Sequence, residues 1–217
     1  MILFVTTADT DLLTADRALE GLPAEFPDIK AFNPANLVVD SAKEDGQKQI
    51  LDTAQNADVV VLRLLGGKRA MPEIFDPLVR LCHEKGTPLI ACPGHQEWDQ
   101  ELVSACNVPA SELDTVFSYL ITGGVANFQN LFLFLSDSYI GTEYGHEAPA
   151  DVPWEGIYHP GEAEGVSADD FIIRHFQSDR PSIALLFYRA HWMSCNLQAI
   201  DALIGRLEEL NVNVLPV

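Results

Sequence analysis

The sequence predicts an α/β protein with a doubly wound, mainly parallel sheet. Short apolar segments alternate with amphipathic stretches long enough for three helical turns, which is typical of strands joined by helical crossovers. The strand segments read as continuous apolar runs, as expected when helices cover both faces of a parallel sheet. These features indicate a flavodoxin-like or Rossmann-like architecture. Right-handed crossovers then place the carboxyl ends of the strands along one rim.

The first elements follow a strand-then-helix order. MILFVTT is an apolar run that ends in small polar residues, and an amphipathic helix is expected from Asp11 to Leu19. DIKAFNP is a weaker second strand, and a polar-faced helix is expected from Ala42 to Asn56. The chain therefore opens with two successive strand–helix units.

The next segments repeat this order. ADVVVLRLLGG is the clearest strand, and MPEIFDPLVRLCHEKG predicts a helix that ends at Gly86. TPLIACPG predicts another strand and turn. The long helical region that follows divides at Gly123 and Gly124, and its second helix is apolar nearly all round, so we expect it to be buried.

We predict a head domain over residues 1–140, a connector over 141–180 that is rich in Gly, Pro, Glu and Asp, and a βαβ unit over 181–217. This unit comprises the strand SIALLFY, a helix from Leu197 to Leu210 and a final strand. A lone βαβ unit cannot bury both faces of its strands. Two placements stay open: the unit adds to the first sheet, or it is the possible start of a truncated second α/β domain.

Composition limits the classes of partner. The chain has 217 residues, of which 47% are hydrophobic and 21% charged, as in ordinary globular proteins. No apolar run has the roughly 18 residues that span a bilayer, and the amino terminus has no basic lead, so we expect a cytoplasmic protein. A net charge of −19 repels nucleic acid and anionic membranes, and neither is expected as a partner. The four cysteines form no C-x-x-C pair, which favours reduced thiols.

One candidate binding site is the turn after the strand ADVVVLRLL. Gly66 and Gly67 are followed directly by Lys68 and Arg69, and turn amides beside two cations can bind a carboxylate or phosphate. The alternative is a tight turn with solvated cations. The spacing matches neither G-x-G-x-x-G nor a Walker A loop, so a nucleotide is not indicated.

A second candidate site is YRAHWMSCN, which follows the strand SIALLFY. Arg189 can bind a substrate carboxylate through its planar guanidinium, and His191 can ligate a divalent metal or transfer a proton near neutral pH. The alternative is that Trp192 packs and His191 is a hydrogen-bonded rim residue, because metal sites need two to four donors.

Two weaker hypotheses concern a histidine and a thiol. His95 follows another strand and could share the rim with Asp9, Asp11 and Cys92 as a set of metal ligands. Cys195, which we expect to open a helix, lies beside His191 and forms with it a formal Cys–His nucleophile. For four further histidines we prefer a surface position: His83, His146, His159 and His175.

Four ordered motifs carry a family resemblance along nearly the whole chain. They are TADTDLL, VVVLRLLGGKRA, YLITGGVANFQNLFLFLSD and ALLFYRAHWMSCN with the following IDALIGRLEELNVNVLPV. Together they resemble the amino-terminal region of the CobN-type large subunit of cobaltochelatase, which is related to the H subunit of magnesium chelatase.

The resemblance implies ATP-dependent insertion of Co²⁺ into hydrogenobyrinic acid a,c-diamide during cobalamin biosynthesis. In that family the large subunit binds the tetrapyrrole and the metal, while separate AAA+ and integrin-like subunits hydrolyse ATP. Co²⁺ is then a substrate. This chain is expected to be part of a multisubunit ligase and to be inactive as an isolated fragment. Arg189 and His191 are the expected catalytic residues, with His191 also the metal contact, and the Gly66–Arg69 turn is expected to bind the acidic substrate edge.

Two departures limit this transfer. In the family motif a Gly-Asn pair follows Tyr-Arg-Ala-His after a few variable residues, whereas here Cys195 takes the glycine position before Asn196. If that glycine permits a close backbone approach, Cβ and Sγ would intrude. The family's large subunit is also several times longer than this chain. A non-catalytic docking domain of a chelatase assembly and a flavodoxin-like protein that binds a small anion stay as alternatives.

Overall fold

The computed structural model describes the backbone of residues 1–34 and 43–217 and the side chains of 1–34 and 46–217. Ala42, where the second predicted helix begins, lies outside the described residues. Contacts within the chain divide it into two compact units, Met1–Asp151 and Val152–Val217. The predicted division at residues 140 and 180 stays a prediction.

The first unit contains a four-stranded parallel sheet in the order β2-β1-β3-β4. This order confirms the predicted α/β fold class, and it is the order of flavodoxin-like sheets. The strands are β1 (Ile2–Thr6), β2 (Ile29–Phe32), β3 (Val59–Leu64) and β4 (Leu89–Pro93).

Helices cover both faces of this sheet, because apolar residues of the strands point alternately to opposite sides. Ile2 and Phe4 of β1 belong to one core cluster, with residues of α1, α5 and α6, while Leu3 and Val5 belong to a second, with residues of α2 and α3. The helices are α1 (Asp9–Leu19), α2 (Lys43–Ala54), α3 (Phe75–Lys85), α4 (Gln100–Ala105), α5 (Ala110–Thr122) and α6 (Val125–Tyr139).

The apolar helix α6 is buried, as the sequence predicts. Phe128 and Phe132 pack edge-to-face on Phe4 of the sheet, with ring centroids 5.9 and 6.3 Å away. The two helical rings also pack edge-to-face on each other at 6.2 Å. Such pairs add about 0.5–1.5 kcal/mol beyond burial of area, so this cluster fixes α6 against the sheet.

The second unit has its own two-stranded parallel sheet, formed by β5 and β6. Of the two placements left open by the sequence, the described residues therefore show a separate sheet, not an addition to the first. A helix, α7, lies within residues 141–180, which we predicted to be a connector. The elements are α7 (Ala168–His175), β5 (Ser182–Leu185), α8 (Arg189–Met193), α9 (Gln198–Glu209) and β6 (Asn213–Pro216).

A search of the described residues for a membrane span finds none: every helix is too short or too polar to cross a bilayer.

Replacing Phe128 tests the aromatic cluster. We expect Phe128→Ala to lower the free energy of unfolding of the first unit by about 3–5 kcal/mol, because it removes a fully buried ring and leaves a cavity. Native-state hydrogen exchange of the β1 amides measures this loss. Leu13→Ala on the exposed side of α1 is the control. Equal losses in the two variants would show that the cluster does not hold α6 in place.

Candidate functional site

The rim of the first sheet contains a crevice at its topological switch point. The chain leaves β1 towards β2 on one side and returns through β3 on the other, so the loops after β1 and β3 diverge. The crevice between them has a volume of about 170 Å³. Its lining residues are Thr6, Thr7, Ala8, Thr10, Asp11, Arg63, Leu65 and Gly94.

A buried ion pair forms one wall of this crevice. Nη1 of Arg63 lies 2.7 Å from Oδ1 of Asp11, and the Thr6 hydroxyl donates to Oδ2 of the same carboxylate at 2.6 Å. Burial raises the pKa of Asp11 above its usual 3.8, although Arg63 and the Thr6 hydroxyl oppose the shift. This wall of the crevice therefore presents threonine hydroxyl groups and an arginine whose charge is already paired with a carboxylate.

The predicted glycine turn lies beside this crevice. Gly66 and Gly67 have φ values of +94° and +64°, which favour glycine, and Gly67 begins a short 3₁₀ turn that ends at Ala70. A Cβ at Gly67 would lie 2.5 Å from Oδ2 of Asp99. Asp99 caps α4 by accepting hydrogen bonds from the first amides of that helix. The glycine turn and the start of α4 therefore pack closely against each other.

The two cations of this turn differ in their surroundings. Nζ of Lys68 lies 2.8 Å from Oδ1 of Asp76, and the hydrogen bond to this carboxylate raises the pKa of Lys68. Arg69 is exposed. Lys68 is thus partly neutralised by its own chain, and Arg69 is the more accessible cation for an anionic ligand. The predicted anion site stays a prediction.

The hypothesis that His95 shares a metal site with Asp9, Asp11 and Cys92 is wrong in one part. Cys92 is buried in the core of the first unit, where burial raises the pKa of its thiol, so it does not reach the rim. Asp11 is held by Arg63. Within the described side chains, those of residues 1–34 and 46–217, no group of three or more His, Cys, Asp or Glu residues could hold a metal ion.

In the second unit, Arg189 holds the start of α8 against the segment that opens the unit. Its Nε and Nη2 donate to the carbonyl oxygens of Pro153 and Val152, both at 2.7 Å. Its guanidinium also lies 4.5 Å from the centre of the Trp154 ring. Burial lowers the pKa of Arg189, which as an arginine remains charged. Two N–H groups of the guanidinium are therefore already occupied by backbone carbonyls.

His191 lies in the middle of α8 and is half-buried. Its amide donates to the carbonyl of Tyr188, and its own carbonyl accepts from the amide of Asn196, both at 2.9 Å. Its imidazole makes no hydrogen bond or ion pair with the other residues that the structure describes. The ring is therefore available to a partner outside them, and its role as metal ligand or proton carrier stays a prediction.

The structure gives a different reason for the glycine that Cys195 replaces. Cys195 has φ +54° and is exposed, directly after Ser194, the last residue of the α8 turn. A left-handed residue at a helix end favours glycine through its conformation, not through close approach of another backbone. Cys195 also does not open a helix, since α9 begins only at Gln198. The dipole argument for an activated thiol is therefore wrong.

Sequence reasoning missed a polar cluster that joins α7 and α9. Nε2 of His175 lies 2.6 Å from Glu162, and Nε2 of His159 lies 3.1 Å from Glu208. The two imidazole rings are 5.0 Å apart. Hydrogen bonding to His175 lowers the pKa of Glu162. His159 is only 12% exposed, so it is not the surface residue that we expected. The His-Pro-Gly-Glu spacing was the only signal in the sequence.

Removing Arg63 tests the ion pair of the crevice. We expect Arg63→Met to lower the free energy of unfolding by about 3 kcal/mol near neutral pH, because Asp11 is left as a buried unpaired charge. A carboxyl with a raised folded-state pKa destabilises the fold only when ionised. The loss should therefore shrink as the pH falls towards 3.8, and hydrogen exchange at several pH values measures it.

The control for this experiment is Arg63→Lys, which keeps the positive charge and should lose less stability. A loss in Arg63→Met that does not change with pH would mean that Asp11 is not the cause.

Cys195→Gly tests the conformational explanation. We expect it to raise the free energy of unfolding of the second unit by about 1 kcal/mol, because the left-handed conformation costs a residue with Cβ about that amount. Thermal unfolding measures the change. Cys195→Ala removes the thiol and keeps Cβ, so it should give no gain. Equal stabilities of the two variants would contradict the explanation.

Comparisons with known proteins find relatives that match the whole chain. Residues 117–217 match the family model described as CobN/Magnesium Chelatase. The aerobic cobaltochelatase subunit CobN of Pseudomonas aeruginosa is 29% identical over 220 residues, which cover 100% of this chain and 17% of that protein. The subunit of the same name from a Sinorhizobium species is 26% identical, with 100% and 17% coverage.

A solved structure agrees with these relatives. The catalytic subunit of cobaltochelatase from Mycobacterium tuberculosis is 28% identical, with a TM-score of 0.66 over 99% of this chain and 16% of that one. The chain therefore spans about one sixth of the length of the curated relatives that it matches. Fold, motifs and comparisons agree, and they confirm the resemblance that the sequence suggested: the whole chain is similar to the CobN-type subunits of cobaltochelatase, and its carboxyl-terminal part matches the CobN/Magnesium Chelatase family model.

Proposed function

We propose that this chain is the amino-terminal part of the large subunit of a cobaltochelatase. The observation that carries the proposal is the likeness of the whole chain, in sequence and in fold, to one sixth of such subunits. The complete enzyme inserts Co²⁺, its metal substrate, into hydrogenobyrinic acid a,c-diamide in the cytoplasm. AAA+ and integrin-like partner subunits bind and hydrolyse the ATP that drives insertion.

In this proposal His191 is the group that contacts the metal or the reacting nitrogen atoms. Insertion requires Co²⁺ to lose water and the ring nitrogens to lose protons, and an imidazole serves either step near neutral pH. The support from this chain is that the His191 imidazole is half-buried and has no partner among the described residues. Other ligands come from parts of the subunit outside residues 1–217.

Arg189 is then a positioning residue for α8. Its hydrogen bonds to the carbonyls of Val152 and Pro153 fix the first turn of a helix of only five residues, and His191 follows two positions later. The remaining N–H groups of the guanidinium can still reach a carboxylate of the substrate.

The glycine turn of the first unit is proposed to contact the acidic edge of the tetrapyrrole. Arg69 is exposed beside Gly66 and Gly67, and carboxylates are the groups that arginine binds in a forked geometry. Lys68 contributes less, because Asp76 already neutralises it.

A docking role without chemistry is the second candidate function. The observations that favour it are the contacts of Arg189 with the Trp154 ring and with the carbonyl of Val152, since cation–π and carbonyl contacts of this kind stabilise a fold without any ligand. The catalytic role and the docking role predict different effects on cobalt insertion when the His191 imidazole is removed.

His191→Ala in the complete chelatase separates the two roles. We expect cobalt insertion to fall by at least about 100-fold, the scale of a lost proton-transfer group, while thermal unfolding stays unchanged. Absorbance of the corrin product measures insertion. His146→Ala, which removes an exposed histidine of the first unit outside the candidate sites, is the matched control and should leave insertion unchanged. Full insertion with lowered thermal stability would leave only the docking role.

A further inference from the structure

We propose that the outer edge of β5 is the docking site for a further β-strand, paired in parallel, from a part of the large subunit outside residues 1–217. This inference rests on the proposed function. It goes beyond it by naming the surface through which the second unit joins the rest of the subunit.

The hydrogen bonds to β6 show which edge is unpaired. Val217 donates to the carbonyl of Leu185, Phe187 donates to that of Val217, and Asn213 donates to that of Pro181. Odd-numbered residues of this strand therefore face β6. Because successive residues of a strand alternate, the N–H groups of Ala184 and Leu186 point to the other side. Neither makes a hydrogen bond within the described residues.

The side chains of β5 and of the residues that follow it are also uncovered. Ile183 in the strand is 44% exposed, and Leu186 and Tyr188 after it are 76% and 83% exposed. In contrast, Val214 of β6 is buried. Exposure of this degree is uncommon for adjacent large apolar residues of a folded domain, and it marks a surface that another chain segment covers.

The segment formed by β5 and the three residues after it has the composition of a central strand, not of an edge. This segment, SIALLFY (residues 182–188), contains no charged residue and no proline, the features that protect natural edge strands from pairing. Its apolar residues face both sides, which is typical of strands inside a parallel sheet. A two-stranded sheet needs a further strand or a packed helix to be stable, and α7 and α9 contact β6. A neighbour on the second edge of β5 would cover the strand whose side chains stay mostly exposed.

The length of the relatives indicates where this neighbour comes from. Curated CobN subunits are about six times longer than this chain, so most of such a polypeptide remains to supply a strand. A second copy of the chain fits less well. Two-fold pairing of the same edge gives an antiparallel ladder, whereas β5 and β6 are parallel and the strand has a parallel-sheet composition.

Hydrogen exchange tests the strand addition. In the 217-residue chain we expect the amides of Ile183 and Leu185 to exchange slowly, and those of Ala184 and Leu186 to exchange rapidly. In the complete large subunit the amides of Ala184 and Leu186 should slow by at least about 100-fold, as expected for amides that become part of a core ladder. Equal rates in the chain and in the complete subunit would overturn the proposal.

Two proline variants give a matched comparison. Ala184→Pro removes an amide of the outer edge, and Leu185→Pro removes one that bonds to β6. We expect Ala184→Pro to leave thermal unfolding of the 217-residue chain nearly unchanged but to abolish protection of Leu186 in the complete subunit. Leu185→Pro should destabilise both. Continued protection of Leu186 in the Ala184→Pro subunit would contradict strand addition.

Two further readouts separate the alternatives. Sedimentation of the 217-residue chain tests for a second copy: dimers in which Ala184 and Leu186 are protected would overturn the proposal. Cobalt insertion is measured on the same complete subunit. Protection of the edge in a subunit that inserts no cobalt would support strand addition and contradict only the proposed function.

Discussion

The strands β1, β3 and β4 have apolar residues on both faces, and the first unit depends on covering both. In the first unit two helical layers meet this requirement: the residues of β1 alternate between a core formed with α5 and α6 and a core formed with α2 and α3. In the second unit, among the residues that the structure describes, the apolar strand β5 has only β6 as a neighbour, and its side chains are mostly exposed. The burial of strand side chains, complete in β1 and incomplete in β5, therefore separates the two units.

Full coverage of the first sheet leaves its rim as the place where polar groups collect. The strands pass from apolar residues to Thr6, Arg63 and the glycine turn within one or two positions. The sheet does not simply expose these groups. It draws Asp11 and Arg63 into a pair whose carboxyl is costly to ionise, and it matches Lys68 with Asp76. Much of the charge that the sequence places at the rim is thus internally neutralised.

The fold could be predicted from the sequence because its signals are local. The apolar runs of β1 and β3 and the mainly apolar second half of the helical region, α6, can each be recognised from neighbouring residues. The site could be predicted only in outline, because its partners are distant in the chain. Arg189 binds carbonyls 36 and 37 residues upstream, and no spacing rule relates His159 to Glu208. For Cys195, the sequence identified the departure from glycine but not why glycine is favoured there, which is the positive φ of this residue.

The contact between Gly67 and Asp99 has an evolutionary consequence. One carboxylate oxygen occupies the space that any side chain at position 67 would need, and the other oxygen of the same group caps α4. Mutational drift at these two sites is therefore coupled in one direction: a side chain can appear at position 67 only where the carboxylate of position 99 has moved or been lost. Lineages without glycine at position 67 should therefore also have an altered residue at position 99.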